Sequence, residues 1–425
     1  MVLLNPNDPF NDESDSFKYD PRIEAKKELL GITLGASERY DTLLLEYATG
    51  SGKSNNAIQI HATKHPKGKV LIVVAEILHY NVWRDEYIKF GHEDLLGNVT
   101  MCCYQSLHKY IDEEWDLICC DECHRLLNSE LRIDYLPKMK ADTKLFLSAT
   151  LTKDQKMTLR TFFPEIRMLK YSLKDALREG AINEYRIVFL EAKPDPTEVF
   201  KIYKNKSKLK KGQEYEVLSF KDRYKKTKNA CVIECNALQY IKYHSDKAAS
   251  LKSRMMYSER FKMAFLKARL DLKNVLADIK IYDAGRVLKK LEDDGERFIC
   301  FTSSIEKADN FHKDHSIHSK KNSKLNSQIF DSFQDKSINS LYVVGKLTEG
   351  MNPTDVNVGV ITQLDNTIRI YNQKVGRILR GDNPTIYILY LRDTLDEHYI
   401  KNVTIDLDED LMIFSTVEDF LNSEK

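Results

Sequence analysis

Short apolar runs alternate with polar stretches of helical length over residues 40–150. The runs occupy residues 42–47, 69–75, 99–104, 115–120 and 143–149. Most carry few charges, as strands of a parallel sheet do when both faces of the sheet are covered. The stretches between them, such as 54–65 and 77–91, have the length and period of helices. This alternation predicts a doubly wound α/β domain.

The same pattern returns in the second half of the chain. Apolar runs lie at residues 186–192, 297–302, 338–345, 356–363 and 384–392. A linker at 171–185 leads into the first of them, and Pro194 and Pro196 punctuate the chain after it. We therefore predict two α/β domains, residues 1–175 and 176–425, with a basic, partly helical insertion at about 200–290 in the second.

The predicted insertion is unlike the rest of the chain. Residues 201–228 contain eleven Lys/Arg and three Asp/Glu, a local charge of 11 − 3 = +8, with tyrosine and phenylalanine interleaved. This composition favours nucleic-acid contact, for which we select Lys208, Lys210 and Lys211; a solvated basic face is the alternative.

A long helical stretch follows, roughly from His244 to Leu291. Apolar residues recur within it at spacings of three and four: Phe261, Phe265, Ala268, Leu272, Val275 and Ile279. We expect this stripe to pack onto the core of the second domain.

The composition narrows the class of protein. Of 425 residues, 42% are hydrophobic and 30% charged, and the net charge is only +1, so any surface for polyanions must come from local segregation of charge. No run reaches the roughly 18 apolar residues that cross a bilayer, and the start lacks a signal-peptide core. We expect a soluble, cytoplasmic monomer. Its eight cysteines are expected to be buried thiols, with a metal-binding or redox role as the weaker alternative.

The apolar run 42–47 leads into a glycine-rich segment and then into a helical pattern. The segment reads Thr49, Gly50, Ser51, Gly52, Lys53 and Ser54. The glycines allow backbone N–H groups to turn inward around phosphate oxygens, and the helix start adds partial positive charge. Lys53 would reach the β- and γ-phosphates, and the Ser54 hydroxyl would bind Mg²⁺. We predict an ATP and Mg²⁺ site here, although Tyr47 occupies the place of the usual first glycine.

The run 115–120 ends in two carboxylates, Asp121 and Glu122. Ligands of open α/β sheets bind at the carboxyl ends of the strands, where these side chains would lie. We predict that Asp121 binds Mg²⁺ as a Walker-B acid and that Glu122 activates the attacking water.

Together with two further segments, these motifs carry a family resemblance. The segments are Cys123-His124 and Ser148-Ala149-Thr150. In this order the motifs resemble those of the superfamily 2 helicases and translocases of the DExH type, which have two tandem RecA-like P-loop domains. The resemblance covers about residues 20–400 and implies that His124, Ser148 and Thr150 couple the nucleotide to nucleic acid.

In the second half, residues 301–309, 346–353 and 371–381 resemble the fourth, fifth and sixth motifs of that family. The resemblance places Gly350 and Gln373 at the nucleotide. It implies that Arg377 and Arg380 neutralise the γ-phosphate when the domains close, as an arginine finger does.

The resemblance also implies nucleic-acid contacts through hydroxyl and amide groups, which suit phosphate binding without sequence readout. The expected residues are Tyr104, Gln105, Ser106, Thr302, Ser303 and Thr348. Residues 75–83 match another such segment of the first domain.

These features predict an ATP hydrolase of the helicase type that acts on nucleic acid by unwinding, branch migration or remodelling. The ATGSGK loop, the sequence Asp-Glu-Cys-His at 121–124 and the lack of an upstream glutamine motif resemble the stand-alone phage and restriction-type DNA motors. DNA is therefore favoured. An RNA helicase is one alternative, and a nucleotide-gated clamp that binds without unwinding is another.

Overall fold

A computed structural model describes residues 21–77, 79–127, 133–209, 213–344, 353, 355–365, 371, 374, 383–405, 407 and 409–423. The strands up to residue 171 are β1 Thr42–Tyr47, β2 Val70–Val74, β3 Val99–Cys103, β4 Glu114–Cys120, β5 Lys140–Ser148 and β6 Arg167–Tyr171. The helices of this part are α1 Pro21–Ser37, α2 Lys53–Lys64, α3 His79–Lys89, α4 His124–Leu127, α5 Lys153–Phe162 and α6 Leu173–Arg178.

The later strands are β7 Arg186–Glu191, β8 Phe200–Lys204, β9 Glu216–Leu218, β10 Cys231–Cys235, β11 Phe298–Thr302, β12 Ser316–Ile317, β13 Ser340–Val344, β14 Val358–Ile361, β15 Thr385–Tyr390 and β16 Met412–Thr416. The later helices are α7 Ala237–Lys252, α8 Glu259–Ile279, α9 Ile281–Asp293, α10 Ile305–His312, α11 Ser323–Gln334, α12 Leu395–Val403 and α13 Val417–Asn422.

Two parallel sheets organise these elements. The first has the strand order β3-β2-β4-β5-β1-β6, and the second has the order β12-β13-β11-β14-β15-β7-β16. Neighbouring strands are non-consecutive in the chain, so helical crossovers connect them and cover the faces. The predicted α/β class with two RecA-like sheets is confirmed.

Both faces of the central strands of each sheet are buried, which explains the continuous apolar runs. In β1, Leu43 and Leu45 pack on one side of the first sheet, while Leu44 packs on the other with Phe146 of β5. In the second sheet, Phe301 and Cys300 of β11 divide between faces in the same way. Because strand side chains alternate between faces, a strand buried on both sides has no polar face to show.

Helix starts follow local capping chemistry. Thr152 before α5, Ser172 before α6 and Asn236 before α7 each accept a hydrogen bond from the backbone N–H three residues on, and the side chain there returns one. Such reciprocal caps satisfy two N–H groups that the first turn would otherwise leave unpaired.

The insertion lies between β7 and α9. It consists of a small sheet of order β8-β10-β9 and the antiparallel pair α7 and α8. The stretch predicted to be helical, roughly from His244 to Leu291, is helical but divided: the chain reverses at 253–258 between α7 and α8, and α9 begins separately at Ile281. The apolar stripe of α8 packs inward as expected towards its C-terminal end, where Ala268, Leu272, Val275 and Ile279 are buried.

Candidate nucleotide and nucleic-acid site

The glycine-rich loop connects buried strand β1 to helix α2. Gly50 and Gly52 have φ values of 88° and 92°, a left-handed conformation that favours glycine. A Cβ on Gly50 would lie 3.5 Å from Ile182 of the linker, which is an ordinary van der Waals contact. The backbone angle, and not a lack of space, therefore requires glycine here. Ser51 is fully buried and its hydroxyl donates to the Ala48 carbonyl at 2.6 Å. The loop is therefore held in one conformation from within.

Lys53 begins helix α2 and bends back over the loop. Its Nζ donates to the carbonyls of Tyr47 at 2.9 Å and Ala48 at 3.4 Å. The ammonium thus lies above the turn that the backbone N–H groups form, at the positive end of α2. The position is the one that the phosphate-binding prediction requires.

Tyr47, at the place of the usual first glycine, points away from the loop. Its ring is buried, packs edge-on against Tyr171, and its hydroxyl is 2.7 Å from that of Thr33 in α1. Burial raises its pKa to about 12, although the hydrogen bond with Thr33 acts in the opposite direction. A tyrosine is tolerated here because the side chain anchors α1 rather than entering the loop.

Asp121 follows β4 at the same edge of the first sheet. The indole N–H of Trp83 donates to its Oδ2 at 3.0 Å, and its Oδ1 accepts from the backbone of Glu122 at 2.9 Å. The hydroxyl of Tyr104 donates to its carbonyl at 2.6 Å. These contacts hold both carboxylate oxygens and the backbone in place.

The electrostatics of Asp121 suit a cation. Burial and then the charge of Glu122 raise its pKa, while the bond from Trp83 and the nearby His79 and Lys53 act in the opposite direction. A buried carboxylate beside a second carboxylate gains when a divalent cation binds. The Asp121 carboxylate therefore fits the predicted role of a Mg²⁺ ligand.

Trp83 and His79 are site residues that the motif analysis missed. They lie four residues apart on α3, so they share the helix face that covers Asp121. The Nδ1 of His79 is buried without a hydrogen-bond partner among the described residues. Residues 75–83 are predicted to contact nucleic acid, but these two side chains lie close to Asp121. An isolated Trp in an amphipathic helix offers no signal of this role.

Glu122 is held at a strained backbone angle, with φ 48°, and its Oε2 lies 3.2 Å from Nδ1 of the buried His124. The N–H of Cys123 donates to the carbonyl of Leu147 in β5 at 2.9 Å. A non-glycine residue at positive φ is uncommon and clusters at functional sites. The turn thus projects the Glu122 carboxylate away from β4 and ties this motif to the strand that carries the next one.

Ser148 and Thr150 follow at the end of β5. The Ser148 hydroxyl donates to the Thr150 carbonyl at 3.2 Å, and Oγ1 of Thr150 is buried without a partner within the described residues. Glu46, a third missed residue, accepts from the Leu151 backbone at 3.0 Å and lies 2.6 Å from Nζ of Lys156. A carboxylate inside the apolar run of β1 was its only signal. It connects the strand before the loop to the segment after Thr150.

Two expected nucleic-acid contacts need correction. Tyr104 is 2% exposed and its hydroxyl donates to the carbonyl of Asp121, so its side chain supports the turn at Asp121 rather than a surface. Thr302 is 5% exposed, and its hydroxyl bonds to the carbonyls of Ser304 and Val343. Neither side chain can reach a strand without breaking these bonds.

Other expected contacts remain accessible. Gln105 and Lys208 are exposed, and Ser106 is half-buried. Ser303 carries a buried hydroxyl that lacks a partner among the residues described. The remaining predicted site residues lie outside the described residues: Lys210, Lys211, Thr348, Gly350, Gln373, Arg377 and Arg380.

The cysteines are reduced thiols. All eight are free, and only Cys103 is partly exposed. Burial and the neighbouring Cys103 raise the pKa of Cys102 to about 12, which keeps that thiol protonated. Among the described residues, the one His/Cys/Asp/Glu group with metal-like spacing, His65, Asp116 and Asp142, contains no cysteine.

Known proteins share this architecture. Residues 279–382 match the family model described as the helicase conserved C-terminal domain. The structure of S. cerevisiae Dbp5 bound to RNA and ADP BeF3 superposes with a TM-score of 0.56 at 9% identity, covering 95% of each chain. The family match places a helicase C-terminal domain at residues 279–382, and the solved structure shows a shared fold over most of the chain.

Two other solved structures were also matched. The Pyrococcus furiosus Hef helicase domain has a TM-score of 0.48 at 14% identity, with 88% of this chain and 96% of that chain covered. The Sulfolobus solfataricus SWI2/SNF2 ATPase core in complex with dsDNA has a TM-score of 0.35 at 14% identity, with 97% and 94% covered. No protein of curated function matches the sequence. No helix in the described part combines the length and apolar character that membrane crossing needs.

Proposed function

We propose that the protein is an ATP-dependent nucleic-acid motor, a helicase or a double-strand translocase, with DNA as the favoured substrate. One observation carries the proposal: the Lys53 loop and the Asp121–Glu122 pair share an edge of the first sheet, close enough for Lys53 to act on the pKa of Asp121. Phosphoryl transfer to water needs this combination of phosphate cradle, metal ligand and base.

Each residue has a distinct task. Backbone N–H groups of residues 49–54 and the Lys53 ammonium would bind the ATP phosphates, for which Lys53 exchanges its present carbonyl partners. Ser54 and Asp121 would hold Mg²⁺, which supplies charge neutralisation at the phosphate oxygens when bound. Glu122 would orient water and accept its proton. By family resemblance, Arg377 and Arg380 would complete the site.

Contacts within the first sheet supply a route for coupling. Glu122 lies against His124, and the backbone of Cys123 is bonded to β5, which ends in Ser148. A shift of the Glu122 turn would therefore displace β5 and the segment from Ser148 to Thr150. Gln105 and Ser106 follow β3 at the same edge and would contact phosphates.

The test is steady-state ATP hydrolysis with single- and double-stranded DNA and RNA at stated salt. We expect stimulation by DNA, a loss of about 10²-fold or more in Lys53→Ala, and a loss of about 10²–10⁴-fold in Glu122→Gln. Exposed Lys67 and Glu38 offer matched controls, since Lys67→Ala and Glu38→Gln should keep full activity. Full activity in Lys53→Ala, Glu122→Gln and Arg377→Ala would end the assignment.

Strand separation needs its own assay. Displacement of a triplex strand without unwinding of a forked duplex would identify a double-strand translocase, and unwinding would identify a helicase. Stimulated hydrolysis with neither outcome would favour the clamp. Stimulation by RNA alone would favour the RNA helicase.

A further inference from the structure

The α7–α8 hairpin of the insertion has an exposed tip that takes no part in the nucleotide site. Its turn, residues 253–258, is ordered by backbone bonds from Arg254 to Leu251 at 3.1 Å and from Tyr257 to Arg254 at 3.0 Å. The hydroxyl of Ser258 then caps α8 by accepting from the N–H of Phe261. The tip is therefore a defined structural element.

The tip exposes large apolar side chains. Met256 is 88% exposed and Tyr257 is 80% exposed. A second apolar stripe continues along the outer face of α8 through Met263, Leu266 and Leu270, opposite the stripe that packs inward. Contiguous exposed apolar groups with no packing role mark contact surfaces.

The charge around these groups identifies their partner. Residues 247–269 contain seven Lys/Arg and one Asp/Glu, a charge of 7 − 1 = +6 in a chain of net charge +1. Within the described residues, Lys252, Arg254, Arg260 and Lys267 make no ion pair with a carboxylate. Aromatic and thioether groups between cations suit a polyanion with stacking bases. A protein surface would have to present several carboxylates to the same area.

The other end of α8 is bonded to the second sheet near the sixth motif. Lys273 forms an ion pair with Asp365, and Nζ of Lys374 lies 3.1 Å from the other oxygen of the same carboxylate. Burial favours the neutral acid, but Lys374 and Lys273 outweigh it and hold the pKa of Asp365 below its ordinary value. Lys374 lies between Gln373 and Arg377, the residues predicted to sense the nucleotide.

The C-terminal end of α8 is anchored in the core of the second domain. Lys280, the residue that follows the helix, is 1% exposed and donates to Asp396 at 2.7 Å and to the Leu389 carbonyl at 3.1 Å. The helix from Glu259 to Lys273 spans about 21 Å at 1.5 Å per residue. A force at the tip would therefore reach Asp365 through one continuous helix.

We propose that the tip of the α7–α8 hairpin binds nucleic acid and that the Lys273–Asp365–Lys374 bridge transmits this contact to the nucleotide-sensing segment. Arg254 and Arg260 bind phosphates, and Met256 and Tyr257 contact bases. The inference rests on the proposed action on nucleic acid and names the surface and the path that this action uses.

The first test measures binding of the full chain to labelled single- and double-stranded DNA and RNA by fluorescence anisotropy over a salt series. Arg254→Ala with Arg260→Ala should weaken binding at least 10-fold and lower the slope of log K against log salt by roughly 1–2. Met256→Ala with Tyr257→Ala should weaken single-strand binding about 10-fold with the salt slope retained. Tyr282→Ala, at a 71% exposed tyrosine on α9, is the matched control and should bind as wild type.

The second test separates binding from transmission. Lys273→Met should bind nucleic acid within 2-fold of wild type and lose most of the stimulation of ATP hydrolysis. Lys140→Met, at an exposed pair with Glu114 outside the insertion, should lose neither. Thermal melts of all variants show that each is folded.

The outcomes distinguish the two proposals. Wild-type affinity in both tip variants would overturn the tip assignment and favour a protein surface, even if DNA stimulates hydrolysis. Tip-dependent binding without stimulation in the wild type would support the tip but end the motor function and the transmission. Full stimulation in Lys273→Met would overturn the transmission alone, and failure of the wild type to bind any nucleic acid would end both proposals.

Discussion

The loop-bearing edge of the first sheet and the inserted hairpin differ in how their polar side chains are held. Those at the edge are fixed by hydrogen bonds, and those at the hairpin tip are exposed. At the edge, Asp121 is surrounded by bonds from Trp83, Glu122 and Tyr104, and Lys53 is held by two carbonyls. On the hairpin, Arg254 and Tyr257 lie exposed on the surface. The first arrangement holds atoms at one geometry, as chemistry requires. The second leaves charge and apolar area free for a large and variable partner.

The basic segment, residues 201–228, lies between these two cases, because some of its cationic and aromatic side chains contact one another and others are exposed. Nζ of Lys206 lies 4.3 Å from the ring centre of Tyr203, and the guanidinium of Arg223 lies 4.4 Å from that of Phe220. The hydroxyl of Tyr224 donates to Asp246 of α7 at 2.6 Å. Its aromatic groups are thus partly used within the insertion, where they connect the small sheet to the hairpin. The hairpin tip offers a more accessible surface.

The largest effect is expected where the hairpin meets the buried core. Lys280→Met would leave Asp396 charged and buried, with Gln363 and the Leu391 N–H as its remaining partners, and should cost about 3–5 kcal/mol of unfolding free energy. Chemical denaturation measures it. Lys262→Met, at the exposed pair with Glu259 on the same helix, should cost at most about 0.5 kcal/mol. If both variants lost the same unfolding free energy, Lys280 would not anchor the hairpin more strongly than an exposed surface pair does.

An effect of similar size on the free energy of unfolding is expected when the pH is lowered, because of His61 in α2. Burial, followed by the charges of His65 and His92, lowers the pKa of His61 in α2 to about 4, with Asp94 opposing. The unfolded chain binds this proton near pH 6.5. The free energy of unfolding should therefore decrease by about 3 kcal/mol in total as the pH falls from about 6.5 towards 4.

Denaturation at several pH values measures this effect. His61→Gln keeps a partner for the Tyr87 hydroxyl, 2.9 Å from Nδ1, and should flatten the profile in that window. His108→Gln, at an exposed histidine, should leave it unchanged. A His61→Gln profile as steep as that of wild type would remove His61 from the account.

Trp83→Phe tests the hold on Asp121. The substitution removes the donor that lowers the pKa of Asp121, so this pKa should rise and the acid limb of ATP hydrolysis should move to higher pH. A hydrogen bond to a charged group contributes about 1.5–3 kcal/mol, which corresponds to roughly 10–100-fold in rate or Mg²⁺ affinity near neutral pH. An unshifted pH profile with reduced rate would instead indicate a packing role.

The smallest effect concerns the loop backbone. Gly52→Ala forces a side chain into φ 92° and should destabilise the fold by about 1–2 kcal/mol, with weaker ATP binding measured by titration. Gly31→Ala in α1 meets no atom within 4 Å and should stabilise the fold by roughly 0.5–1 kcal/mol. Equal stability of the two variants would contradict the need for left-handed backbone at Gly52.

The predictable parts of the molecule are those that local rules determine. The loop 49–54 and the pair Asp121–Glu122 could be predicted because strand, glycines and charged residues follow one another directly. The roles of Trp83, Glu46 and Tyr104 could not, since each depends on which neighbour packs above it. Strand β6 was missed because Arg167 and Lys170 interrupt a short edge strand.

The turn between α7 and α8 shows a different obstacle. Residues 253–258 contain no glycine or proline, and Arg and Met are good helix formers, so the sequence gives no sign of a break within the helical stretch. Packing of α7 against α8 overrides that preference. The resulting tip is the most exposed apolar feature of the insertion, and sequence reasoning alone could not place it on the surface.

The central claim is that the Lys53 loop and the Asp121–Glu122 pair form one ATP-hydrolysing site that nucleic acid stimulates. Its most direct test is phosphate release by wild type and Glu122→Gln with and without saturating DNA, alongside ATP binding by both. The account predicts clear stimulation of wild type, and about 10²–10⁴-fold slower release by Glu122→Gln with ATP affinity within a few-fold. Equal release by the two proteins, or release indifferent to every nucleic acid tested, would contradict it.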